Sequence, residues 1–111
     1  MLMISFTIYG EIVSKKNTWR FGSGRVYNDP RTQKWMDDAI KQLKAVRWKH
    51  KNTPISSKTA LSCVFFIKRD KDIDNMLGTL FDALQKAEII LNDKLIIKVT
   101  AIKELTKKDF R

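Results

Sequence analysis

The run Ala60–Lys68, "ALSCVFFIK", constrains the fold more than any other stretch of this chain. Its apolar residues fall on both alternating faces, the pattern of a strand covered on each side, so it is expected at the centre of a small sheet. The period then changes. After "KRDKDIDN", the residues Met76, Leu77, Leu80, Phe81, Leu84 and Ala87 recur at helical spacing and mark an amphipathic helix. A buried strand that leads within a few residues into an amphipathic helix must pack one element on the other.

The flanking segments complete the pattern. Residues 2–9 alternate, with Leu2, Ile4, Phe6 and Ile8 on one face, which predicts a half-buried strand ending in a bend at Gly10. Gly22 and Gly24 flank Ser23 and suggest a hairpin-like or mobile loop. Trp35, Met36, Ala39, Ile40, Leu43 and Val46 then predict a helix reaching to about His50, with Asn28 or Asp29 as its cap and Pro30 at its first position. Pro54 cannot continue that helix. Past Asn92 and Asp93, "LIIKVTAIKE" alternates again as a last strand. The order β–loop–α–β–α–β gives one α+β domain over residues 1–111. Its sheet is expected to be small and mostly antiparallel or mixed, with two main helices packed on it.

Charge is distributed unevenly. The chain has 22 Lys and Arg against 12 Asp and Glu. Between Lys15 and Lys58 there are twelve basic residues and three acidic ones, a local balance of +9. Such a concentration points to a polyanionic partner, nucleic acid before an anionic membrane surface. Half of all the acids, by contrast, fall between Arg69 and Asp93, with Asp70, Asp72 and Asp74 at alternate positions. A single cysteine (Cys63) and a single histidine (His50) exclude a disulfide framework and a Cys/His zinc site, and fit a reducing compartment. The N-terminus has no basic segment ahead of its apolar part and reads as a strand, not a signal peptide. No apolar run approaches the length of a membrane span. A cytoplasmic protein is expected.

Asp72 lies at the strand-to-helix junction, and Asp74 at or near the helix N-cap. Asp93 precedes the last strand and would approach the other two if that strand pairs beside "CVFFIK". Carboxylates brought together repel unless protonated or bound to a cation, and Mg²⁺ suits such hard oxygen ligands. Beside a basic surface, this is the layout of a phosphodiester-cleaving nuclease. Capping and the helix dipole account for Asp72 or Asp74 without any cation, so the D-x-D pattern alone leaves both readings open.

The longer stretch "DIDNMLGTLFDALQKAEIILNDK" resembles the RusA family of Holliday-junction resolvases. In that family a D-[IL]-D-N motif opens a helix carrying a (F/L)DAL segment, and another aspartate follows in the next loop. The likeness rests on Asp72, Ile73, Asp74, Asn75, Phe81, Asp82, Ala83, Leu84 and Asp93, and extends more weakly to "GEIVSKKNTWR" and "GRVY". It implies a homodimeric endonuclease, bacterial or phage-encoded, that uses Mg²⁺, with Mn²⁺ as a substitute. Such an enzyme resolves four-way junctions, or related branched DNA, by paired symmetric nicks in recombination and repair. It implies that Asp72, Asp74 and Asp93 are the catalytic, metal-binding carboxylates. Lys15, Lys16, Asn17, Arg20, Arg25 and Arg69 are the candidate DNA contacts, and Trp19 or Phe21 either stacks on an unpaired base or packs in the core or the dimer interface. The chain departs from the family at Gly78, where a lysine is usual. Either another cation (Lys71, Lys86, Lys94 or one from the basic loop) supplies the charge, or the chain is a junction-binding protein impaired in cleavage.

Overall fold

The computed structural model describes residues 4–13, 19–22, 25–28, 30–51 and 53–106. Strands β1 (Trp19–Gly22) and β2 (Arg25–Asn28) form an antiparallel ribbon in which Gly22 faces Arg25. Helix α1 spans Pro30–Lys49, strand β3 Thr59–Ile67, helix α2 Ile73–Lys86 and strand β4 Ile96–Leu105. A short 3₁₀ turn, Asp93–Leu95, leads into β4.

The expected α+β architecture is present, with two main helices and a mixed set of strand pairings. The pairing that carries the helices is parallel: β3 and β4 run side by side from Thr59 opposite Ile96 to Ile67 opposite Leu105. The intervening helix makes this possible, because a crossover of this length returns the chain to the same edge in the same direction. Alternation of side chains is identical in parallel and antiparallel strands, so periodicity carries no information on this point.

Both helices contribute to one core. Trp35, Met36, Ala39 and Leu43 come from α1, and Met76, Leu80, Ala83 and Leu84 from α2; they join Ile12, Phe65, Ile67, Ala87, Ile89 and Ile90. Most of the periodic residues of each helix are buried, as amphipathic packing requires, while Ile40, Val46, Leu77 and Phe81 are half-buried at the edges of their stripes. Pro30 opens α1, and Arg47 and Lys49 sit in its last turn, where cations complement the helix dipole.

Two expectations need correction. Residues 4–9 alternate in burial, with Ile4, Phe6 and Ile8 turned inward, but they belong to no strand. The N–H and C=O of Tyr9 are taken by the side-chain amide of Gln42 at 2.7 and 2.9 Å, so α1 holds this segment. Gly10 then turns the chain with a φ of +104°. Nor is β3 covered on both faces. Its Leu61–Ile67 face meets the core, whereas Val64 and Phe66 on the other face are exposed, beside exposed Ile102 of β4.

Candidate active site

The acidic run lies in the turn from β3 into α2. Asp72 occupies the N-cap position of α2, yet its side chain makes no capping hydrogen bond. Its carboxylate instead accepts from the Asn75 side-chain amide at 3.3 Å. Asp74 follows in the first turn of the helix, and its exposed carboxylate has no hydrogen bond or ion pair among the described residues. Side-chain capping is thus not how they are used, although Asp74 still lies in the first turn, where a carboxylate complements the helix dipole. Both remain available as oxygen donors at the N-terminus of a helix.

Several side chains hold this turn in place. Glu11 accepts from the backbone N–H of Lys68 at 2.9 Å and pairs with the ammonium of Lys71. Burial opposes ionisation of Glu11, but the Lys71 hydrogen bond, the Lys68 and Arg69 amides and the Lys71 charge outweigh it, so its pKa lies below the ordinary value. On the other side, Lys103 of β4 donates to Asp70 at 2.7 Å and to the carbonyl of Lys71 at 3.1 Å. That hydrogen bond and the Lys103 charge lower the Asp70 pKa. Two residues after Glu11, the carbonyl of Val13 accepts from the buried Thr79 hydroxyl at 3.1 Å, fastening the segment ahead of Lys15 against α2.

Asp93 lies elsewhere. Its backbone N–H donates to the side chain of Gln85, eleven residues beyond Asp74, which places it roughly 16 Å along the helix from that residue. The chain just before it is bridged to the approach to β3: Ile55 donates to Ile89 at 2.9 Å and accepts from Leu91 at 2.9 Å. Asp93 therefore stands at the start of β3 and β4, whereas Asp72 follows the end of β3. The nine residues of β3 separate those ends by roughly 26 Å. The last strand does pair beside "CVFFIK", but in the parallel sense that takes Asp93 away from Asp72 and Asp74. Among the described residues there is accordingly no group of three or more His, Cys, Asp or Glu able to hold a metal ion.

The chain matches the family model of the RusA endodeoxyribonucleases over residues 10–109. It is also 35% identical over 98 residues to the crossover junction endodeoxyribonuclease RusA of Aquifex aeolicus (strain VF5), a match covering 86% of this chain and 75% of that protein. The chain belongs to the RusA family.

Of the positions that the family resemblance singles out, this RusA-family chain brings Asp72, Asp74 and Asn75 together and sets Asp93 apart. Arg69 is exposed in the bend beside them. Lys15, Lys16 and Asn17 lie outside the described residues, and Arg20 and Arg25 are placed only as backbone of the β1–β2 ribbon. Gly78 sits inside α2, one turn beyond Asp74. Glu11, Gln85 and Lys103 were not singled out in the sequence. Glu11 and Lys103 act through contacts far along the chain or across the sheet, and Gln85 through a contact from the end of α2 to the loop eight residues on; no periodic spacing marks such partners. No helix of the described residues is long and apolar enough to cross a membrane.

Proposed function

We propose that this RusA-family chain is a Mg²⁺-dependent, structure-selective DNA endonuclease that nicks four-way junctions as a homodimer. Each of its sites would take Asp72 and Asp74 from one copy and Asp93 from the other. The observation that carries this reading is the pair of exposed carboxylates at the N-terminus of α2, neither used in a capping hydrogen bond, fastened next to the segment leading to Lys15 and Lys16. A hard cation held by one or two carboxylates, with water and substrate phosphate completing its shell, suits this donor set. The parallel β3–β4 register supports the division between copies, because one chain cannot bring Asp93 to the other two without dismantling its sheet. Two-fold symmetry of the dimer would then match the paired strands of the junction.

The chemistry that bound Mg²⁺ supplies is neutralisation of phosphate charge and activation of water. The chain's own residues orient the donors. Asn75 fixes the Asp72 carboxylate, Glu11 and Lys103 fix the backbone on either side of it, and Gln85 fixes the peptide of Asp93. Lys15, Lys16, Asn17, Arg20, Arg25 and Arg69 would bind the phosphate backbone.

Gly78 favours a second reading, a junction-binding protein weak in cleavage, because it offers no cation on the face that follows Asp74. One experiment separates the two. A labelled synthetic four-way junction is incubated with the protein in Mg²⁺, in Mn²⁺ and in chelator. Paired nicks in either metal and none in chelator support the nuclease; tight binding with no cut under any condition supports the second reading.

A further inference from the structure

The second half of α1 carries a surface that the carboxylate site does not use. Residues 41–51 contain Lys41, Lys44, Arg47, Lys49 and Lys51 and no acidic residue. Lys44 and Ala45 each lie three or four residues from both Lys41 and Trp48, the steps of a single helix face, and all four are exposed. Trp48 is 90% exposed, the most exposed of the large apolar side chains among the described residues. Arg47 turns aside to pair with Glu88 at 3.0 Å. Lys41, Lys44, Lys49 and Lys51 are in no ion pair among the described residues.

The helix dipole accounts for cations in the last turn, but not for Lys44 and Lys41 one and two turns earlier, and not for an exposed indole. Tryptophan is buried on average, so one left exposed on the helix face that carries Lys41 and Lys44 calls for an occupant. A lipid surface fits poorly, because a membrane-lying helix needs a broad apolar face and the apolar face of α1 is already in the core through Trp35, Ala39 and Leu43. A second copy of this chain, docked face to face about a two-fold axis, would bring the same lysines against each other. What remains complementary is a polyanion that also offers a flat apolar face. Lysines tracking phosphates around an aromatic platform are how single-stranded nucleic acid is held without sequence preference.

We propose that Trp48 stacks on a nucleobase presented outside a continuous duplex, with Lys41, Lys44 and Lys51 gripping the adjoining phosphates. The inference rests on DNA being the substrate of the proposed function and deepens it. The Arg47–Glu88 pair ties this end of α1 to the segment just after α2, on the side of the molecule where Asp93 lies. A branched DNA engaged by Asp93 would then present its unstacked bases to Trp48.

The test uses the full chain in chelator, so that nothing is cut. The probes are a single-stranded oligodeoxythymidine, a continuous duplex with hairpin-closed ends and a synthetic four-way junction. Oligodeoxythymidine should quench the protein's tryptophan fluorescence and shield it from acrylamide, and Trp48→Phe should lose most of that signal while still binding. Trp48→Ala should weaken oligodeoxythymidine binding by between about five- and a hundredfold, the range for losing one stacked base, and leave the closed duplex unchanged. Wild-type affinity of Trp48→Ala for oligodeoxythymidine, undiminished quenching in Trp48→Phe, or an equal loss on the closed duplex would each overturn the proposal. If the junction is cut in Mg²⁺ while Trp48→Ala changes nothing, the nuclease reading stands alone. If Trp48 reports the oligonucleotide but no junction is cut, the stacking site stands and the nuclease reading falls.

Discussion

The carboxylate of Glu11 is paired with the ammonium of Lys71, sixty residues further along the chain, and the same carboxylate accepts from the Lys68 amide. This joins the segment ahead of the basic region to the turn that carries Asp72. Because the folded-state pKa of Glu11 lies below its unfolded value, its contribution to stability is present above the ordinary carboxylate range. That contribution is lost as pH falls through the folded-state pKa. Glu11→Gln should therefore cost about 1 kcal/mol at neutral pH and progressively less in acid. Urea unfolding of both proteins across the acid range checks this; a difference that stays constant into strong acid would contradict it.

Gly10 sits at the bend that delivers Glu11, with a φ of +104° that side chains of L-residues rarely adopt. An added Cβ would meet Trp35 Cδ1 at 4.0 Å, an ordinary contact, so the penalty falls on the backbone and not on packing. Gly10→Ala should destabilise the fold by about 1–2 kcal/mol, measured by urea unfolding. Unchanged stability would mean that the bend relaxes freely.

The helices were legible because their apolar residues recur at one period over long stretches: Trp35, Met36, Ala39 and Leu43 are buried in α1, and Trp48, which falls off that stripe, is exposed. Asp72 and Asp74 were legible for a related reason, since a strand-to-helix junction is a local event. The position of Asp93 was not. It depends on whether β4 pairs with β3 in the parallel or the antiparallel sense, and both senses display the same alternation. The segment 4–9 misled differently: its side chains alternate as a strand's do, but a side chain, Gln42, has taken the backbone groups of Tyr9.

Asp72→Asn, Asp74→Asn and Asp93→Asn should each abolish junction cleavage while retaining junction binding, because each removes charge that would hold a cation and none removes a phosphate contact. Gel-shift and cleavage assays on one labelled junction read both properties. Near-normal cleavage by any two of the three would remove these residues from the site.

Binding should depend steeply on salt. The logarithm of the binding constant for junction DNA should fall linearly with the logarithm of salt concentration, and Arg69→Ala should make the slope shallower by about one. Fluorescence anisotropy over a salt series measures it. A slope near zero would argue against a phosphate-gripping surface.

The central claim is a site divided between two copies, and mixing inactive variants tests it most directly. Asp72→Asn and Asp93→Asn proteins are each assayed alone on a four-way junction in Mg²⁺, then unfolded together, refolded and assayed as a mixture. With sites divided between copies, every mixed dimer regains one intact site, so nicking should return to about a quarter of the wild-type level for freely exchanging two-fold dimers. With each site built from one chain, every site in the mixture lacks one aspartate, and the absence of any nicking would contradict the account.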